Sequence, residues 1–232
     1  MKKKLDQLKT LVEKNVFTPT GTSDLLIEAA KKIVKPKKKI LDLGCGNGIV
    51  GISISKILPK ETKIYFSDIS VAACKNAESN CKKFNVNYEI KNGKVLLPWK
   101  DYYFDYIISD IAAIADKVAK ISPWYKNCIN NAGEDGTKNV IEFLNKANSH
   151  LNKNGTILFP IISLSNRKKI ISVLKKNFKN IKIIKYKVWP LPKSMHNNIA
   201  LLNNLKKKKI IYFESKYGIP LFNTEIYHAK KK

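Results

Sequence analysis

Short apolar runs bounded by lysine, glycine or proline alternate along the chain with longer stretches whose apolar positions fall three and four apart. The short runs predict strands and the longer ones helices. Leu5, Leu8, Leu11 and Val12 predict an amphipathic helix over residues 2–15. Ser23 is the expected N-cap of a helix over 24–34, which Pro36 ends. Strands are then predicted over 39–43, 63–67, 87–91, 106–109, 156–162, 181–188 and 225–229. Helices are predicted between them over 48–58, 71–84, 136–151 and 166–178. This alternation predicts an α/β fold: a mostly parallel, seven-stranded sheet with helices on both faces. Runs such as Ile157-Leu158-Phe159 suit strands covered on both sides. The expected organisation is a helical extension over 1–35 and a single α/β domain over 36–232.

Composition changes the picture in one respect. The 232 residues carry 44 Lys and Arg against 18 Asp and Glu, a formal charge of +26. Such a balance attracts polyanions, so RNA or a ribosome enters as a possible partner. Yet Arg167 is the sole arginine, and arginine is the residue suited to bidentate phosphate or base recognition. The lysines are also spread along the whole chain, which compositional bias explains equally well. No run approaches the roughly 18 apolar residues of a membrane span, and nothing at the N-terminus reads as a secretory signal, so the expectation is cytoplasmic with no membrane partner. Cys45, Cys74, Cys81 and Cys128 form no Cys-x-x-Cys pair, and no metal site is expected.

The chemistry concentrates where the first sheet strand ends, in Asp42-Leu43-Gly44-Cys45-Gly46-Asn47-Gly48. A dinucleotide fingerprint needs glycine three after Gly46, where Ile49 stands; a phosphate-binding Walker loop needs Gly-Lys-Ser/Thr, which is absent. Asp42 can meet a cationic group, and Asp68, closing the second strand, can accept hydrogen bonds from ribose hydroxyls. Two acids beside a glycine-rich turn suit a ligand with a ribose and no phosphate, because a pyrophosphate prefers amide or basic surroundings.

These motifs resemble those of the class I S-adenosylmethionine (SAM) dependent methyltransferases, which have a Rossmann-like fold. The resemblance implies SAM as cofactor. It implies that Asp42 and the backbone of Gly44, Cys45, Gly46, Asn47 and Gly48 hold the methionine part, Asp68 the ribose, and Ile69 with Asn92 and Gly93 the adenine. Phe17-Thr18-Pro19-Thr20-Gly21-Thr22 and Ala132-Gly133-Glu134-Asp135-Gly136 are further similar to segments of the release-factor glutamine methyltransferases and other "methyltransferase small" proteins. That likeness implies that the first segment covers the cofactor pocket, with Phe17 and Thr22 against SAM.

One departure limits the analogy. That group carries Asn-Pro-Pro-Tyr after the fourth strand, and this chain has Asp110-Ile111-Ala112-Ala113. Asp110 is the candidate catalytic residue, able to accept a hydrogen bond or a proton, although a solvated loop carboxylate is an equal reading. Trp124, Tyr125 and Trp189 offer an aromatic wall for a substrate, and residues of this size equally serve a core. The expected activity is methyl transfer to a protein side chain or small molecule, with the acceptor open. The alternatives are an RNA- or ribosome-associated methyltransferase and a non-catalytic module of the same fold.

Overall fold

A computed structural model describes residues 8–126, 128 and 130–232. Its elements run in chain order as α1 (Gly21–Ile33), β1 (Ile40–Leu43), α2 (Ile49–Ser55), β2 (Ile64–Asp68), α3 (Val71–Lys83), β3 (Tyr88–Asn92), β4 (Phe104–Ser109), α4 (Asp116–Ile121), α5 (Lys138–Ala147), β5 (Leu151–Ile162), α6 (Arg167–Asn177), β6 (Phe178–Pro190), α7 (Lys193–His196), α8 (Ile199–Lys207), β7 (Glu214–Lys216) and β8 (Ile219–Lys231). The sheet order is β3-β2-β1-β4-β5-β8-β6, with β7 paired to β8. The β3-β2, β2-β1, β1-β4 and β4-β5 pairs are parallel; β8 runs against β5, β6 and β7. The chain reverses direction across β1, first toward β2 and β3 and then toward β4, so the crevice of an α/β sheet opens beyond the carboxyl ends of β1 and β4.

Central strands are apolar throughout because both faces are covered. Ile40, Leu41 and Leu43 of β1, Ile107 and Ile108 of β4, and Ile157 and Leu158 of β5 are all buried. On one face they meet Leu26, Ala30, Val50, Ile52 and Ala77 from α1, α2 and α3. On the other they meet Phe143, Leu144, Ile170 and Leu174 from α5 and α6. A third apolar group joins Val118, Leu164, Met195, Leu202 and Phe222 beside the carboxyl end of the sheet.

Three sequence expectations need correction. Residues 8–15 of the expected first helix form no helix, and residues 2–7 of it lie outside the described residues. Leu11 and Val12 stay exposed, because the main chain there bonds to side chains of the body instead of to itself. The N-cap of α1 is Thr20, three residues before the expected Ser23; Thr20 and Ser23 form a reciprocal capping box. The sheet has eight strands. The additional one, β7, forms a two-residue hairpin with β8 through Tyr217 and Gly218, both at positive φ. Its Glu214-Ser215-Lys216 is wholly exposed and carries no apolar alternation to signal it. Helices α4, α7 and α8 have no counterpart among the expected helices.

Gly136 shows why the Gly133-Glu134-Asp135-Gly136 turn has its sequence. It sits at φ +72, and a Cβ there would meet backbone atoms of Ile114 and Ala115 at 2.6 Å. Asp135 closes the turn onto the Thr137 N–H and hydroxyl. The turn is thus pressed against the loop that leaves β4. Gly136→Ala is expected to lower stability by about 2 kcal/mol or more, because left-handed strain and a backbone clash act together. Gly218→Ala, also at positive φ but in open space, should cost only about 1 kcal/mol. Urea unfolding midpoints of the two variants check the ordering.

Candidate functional site

The turn between β1 and α2 is built by backbone hydrogen bonds. The Gly44 and Cys45 N–H groups donate to the Ser67 carbonyl, and the Gly48 N–H to the Cys45 carbonyl. Gly44, Gly46 and Gly48 all have positive φ. Gly46 has the most informative surroundings: a Cβ placed there would have nothing within 4 Å, so the turn faces open space at that point. Gly44 by contrast lies under Ile111, which follows β4.

Three carboxyls converge around this turn. Asp42 is fully buried; its Oδ2 accepts the Gly51 N–H at 2.7 Å, and its Oδ1 has no partner. Burial pushes its pKa up to about 8 against the Gly51 hydrogen bond, and neighbouring Asp110 and Asp68 add to the rise. Asp68 accepts the Gly46 N–H at 3.0 Å on one oxygen and the Ser70 N–H at 2.9 Å on the other. Each oxygen keeps a further acceptor position. Its pKa is raised by burial, with those N–H groups opposing. Asp110 accepts the Ser23 hydroxyl at 2.7 Å and is likewise raised by burial. A cation among these groups would relieve both the desolvation and the mutual repulsion of the three acids.

The remaining expected residues divide. Ile69 is 66% exposed beside Asp68, free to cover a ring. Asn92 donates to the Asp68 and Ile69 carbonyls and Gly93 donates to the Asp68 carbonyl, so this pair fixes the turn that carries Asp68. Cys45 is buried within the turn, and burial raises its thiol pKa. Asn47 points away from the open side. Its carboxamide donates to the Thr10 hydroxyl and the Leu11 carbonyl. Phe17 and Thr22 lie against a neighbouring cavity; the Thr22 hydroxyl is 3.3 Å from that of Thr224.

That cavity, of about 260 Å³, is lined by Phe17, Trp124, Tyr125, Trp189 and Phe222 together with Thr22 and Ile114. The expected aromatic wall of Trp124, Tyr125 and Trp189 therefore faces a void. The Phe17 and Tyr125 rings are 5.1 Å apart, and the Trp189 ring lies on Gly21 at the start of α1. With Asp110-Ile111-Ala112-Ala113 containing no proline, the loop after β4 is held from outside. Asn130 donates to the Ile114 carbonyl and Asn139 to that of Ala112, while Gly136 presses on the Ile114–Ala115 backbone.

Asn76 and Asn80 carried no sequence signal. Both are fully buried on α3. Asn80 accepts the Leu11 N–H and donates to the Leu11 and Asn47 carbonyls; Asn76 accepts the Glu13 N–H. The segment 10–13 is thereby stitched to the underside of the glycine-rich turn. Only the tertiary fold brings these asparagines to Leu11, 69 residues away in sequence. Ser23 was also missed as a partner of Asp110, because from sequence it serves equally as a cap.

With this geometry in view, the methyltransferase small domain matches residues 8–117. By that match and by its relatives the chain resembles the class I methyltransferases, whose fold it shares. It is 32% identical over 195 residues to the release factor glutamine methyltransferase of Dictyoglomus turgidum, covering 78% of this chain and 66% of that protein. It is 35% identical over 106 residues to the ribosomal protein L11 methyltransferase of Caldicellulosiruptor bescii, covering 44% and 33%. The chain thus spans about two thirds or less of the length of these relatives. Among solved structures, the ribosomal protein L11 methylase of Lactobacillus delbrueckii subsp. bulgaricus shares the fold, with a TM-score of 0.57 at 19% identity and coverage of 94% and 82%. A Thermus thermophilus 16S rRNA N2 G1207 methyltransferase, solved with AdoMet and guanosine, shares it at a TM-score of 0.57 and 13% identity, covering 93% and 44%. Among the described residues, no helix is long and apolar enough to cross a membrane.

Two predictions test the site. Asn80→Ala should free residues 10–13, speeding amide exchange at Leu11 and Glu13, and should destabilise the fold by about 1–3 kcal/mol through unmet buried partners. Asp42 has a folded pKa raised above that of a free carboxyl, so its protonated form favours folding. That stabilisation is full at low pH, falls as pH rises above the unfolded value, and is gone once the pH passes about 8. Thermal midpoints of the ligand-free protein should decline from pH 5 to 8. Asp42→Asn, which retains an acceptor for Gly51, should flatten that decline.

Proposed function

We propose that this chain binds SAM and transfers its methyl group, with Asp42, the Gly44–Gly48 backbone, Asp68 and Ile69 holding the cofactor. The observation that carries this reading is the convergence of three carboxyls, that of Asp42 fully buried and those of Asp68 and Asp110 partly so, on a glycine turn open at Gly46. In a chain of net charge +26, an acidic pocket selects a cation. The turn also lacks the basic or purely amide lining that a pyrophosphate needs. The unpartnered Asp42 Oδ1 is an acceptor without a donor, and Asp68 retains acceptor positions for vicinal hydroxyls. Asn92 and Gly93 act on the adenosine side by fixing the Asp68 turn, and Phe17 and Thr22 border the acceptor side.

Bound SAM supplies an electrophilic methyl on a sulfonium. The chain's part is to align an acceptor and keep water away. Asp110 is the group placed to hold the acceptor's N–H or O–H and take its proton, since burial raises its affinity for protons and Ser23 fixes one of its oxygens. The acceptor is a protein side chain or a small molecule. The relatives named for glutamine or for ribosomal protein L11 act on proteins. A polyanionic partner rests on net charge alone. The sole guanidinium, that of Arg167, already holds Glu225 at 2.7 and 3.1 Å and the Tyr227 hydroxyl at 2.9 Å.

Calorimetry with SAM and with S-adenosylhomocysteine tests the reading. Saturable binding is expected, weakened at least about tenfold by Asp68→Ala through loss of two charge-assisted hydrogen bonds. Absence of binding by either ligand to the folded protein would overturn it.

A further inference from the structure

We infer that the β7–β8 hairpin, with the end of α8 behind it, is a docking surface for an acidic protein segment that carries apolar side chains. This surface lies outside the cofactor turn and the cavity, and its assignment stands independently of the methyltransferase reading.

A local misfit marks the hairpin tip. Tyr217 and Gly218 close the two-residue loop at φ +52 and +74. Such a loop favours asparagine followed by glycine, and a bulky side chain at positive φ is strained. Tyr217 recovers little of that cost inside the fold. It is 92% exposed, with the Lys216 ammonium 5.8 Å from its ring centroid. Strain held at an exposed aromatic residue points to a site that meets a partner.

The neighbouring side chains say which partner. Ile219 is 48% exposed, and Tyr212, just before β7, is 52% exposed. The Lys206 ammonium stands 5.5 Å from the Tyr212 ring and 4.8 Å from the Phe213 ring, so the end of α8 lies against the root of the hairpin. Lys207, Lys208 and Lys209 follow it and are exposed, and Lys216 sits on the hairpin itself. Glu214 is the sole acid between residues 199 and 219. The surface is therefore cationic and partly apolar, and its complement is anionic and partly apolar. Lysine without arginine is poorly suited to bidentate phosphate or base recognition, and Ile219 offers no stacking plane, so a protein fits better than a nucleic acid. Tyrosine is also among the side chains that carry most of the energy of protein interfaces. A second copy of this chain, at +26, would bring like charge to like.

The hairpin is rooted at the cavity. β8 runs unbroken from Ile219 through Phe222, which lines the cavity, and the Leu191 N–H donates to the Pro220 carbonyl between them. The stretch from Tyr217 to Phe222 spans at most about 17 Å of extended chain, so a protein held at the tip lies close to the cavity wall.

Fluorescence anisotropy on the full chain, without SAM, tests the assignment. The probes are fluorescein-labelled Gly-Asp-Leu-Glu-Phe-Asp-Leu-Glu amide, the same peptide with serine at its apolar positions, and an oligouridylate of equal charge. Saturable binding is expected, tightest for the apolar acidic peptide. Tyr217→Asn should move two readouts in opposite directions, raising the thermal midpoint by about 1–3 °C as the turn relaxes and weakening this peptide about tenfold. The pair Lys207→Gln and Lys208→Gln should weaken it about threefold. The pair Lys35→Gln and Lys37→Gln, at the amino end of the sheet, makes the same change in net charge and should leave the affinity as it is. The inference is overturned by an affinity unchanged in Tyr217→Asn, by a thermal midpoint that does not rise, or by equal weakening from the two lysine pairs. Equal affinity for the serine peptide, tighter binding of the oligouridylate, or no saturable binding of the apolar peptide overturns it as well. Because the assay contains no SAM, cofactor binding without peptide binding rejects only this inference. Peptide binding without cofactor binding rejects only the methyltransferase reading.

Discussion

The Asp42 carboxyl sits one residue before the end of β1 at full burial, with one oxygen on the Gly51 N–H and the other without a partner. Much of the surrounding structure follows from holding it there. A carboxylate without water or a cation is costly in a protein interior, so the ligand-free protein keeps a proton on this group to an unusually high pH. The bond to Gly51 ties the end of β1 to the third residue of α2, whose N-cap, Gly48, takes a left-handed conformation. The strand, the turn and the helix start are therefore one unit built around a buried acid. A cation bound there would displace the proton, so ligand uptake and deprotonation are linked.

The same unit is held from below. Asn47 belongs to the glycine turn by sequence, yet its side chain faces the N-terminal segment, and Asn80 grips both the turn and that segment. The segment 10–13 thus depends on the turn for its placement. It continues through Val16, buried at 3%, to Phe17 on the acceptor cavity. One continuous stretch of chain touches the back of the glycine turn and the wall of the aromatic cavity, which gives the two a shared support.

Legibility in the sequence followed the range of the interactions. The strands β1, β2 and β5 and the turn at Gly44–Gly48 were readable because continuous apolar runs and glycine spacing are local properties. Asp68 was readable because it ends a strand. The first expected helix failed over residues 8–15 for the opposite reason: Leu8, Leu11 and Val12 have helical spacing, but Asn76 and Asn80 offer their backbone other partners. The pairing of Ser23 with Asp110 was hidden because Ser23 has a sufficient local role in the capping box. β7 was hidden because a three-residue polar strand needs its partner to exist.

The loop after β4 shows why family resemblance and acceptor chemistry separate. In this chain, rigidity comes from Asn130, Asn139 and Gly136 pressing on residues 112–115, so prolines are not required to fix the loop. Freed of that constraint, the position held by tyrosine in the related motif is Ala113, which is buried and presents no ring. The aromatic surface is supplied instead from Phe17, the Trp124-Tyr125 pair and Trp189, three segments far apart in sequence. The glycine turn and the aromatic cavity therefore depend on different residues, and a substitution in one can leave the other intact.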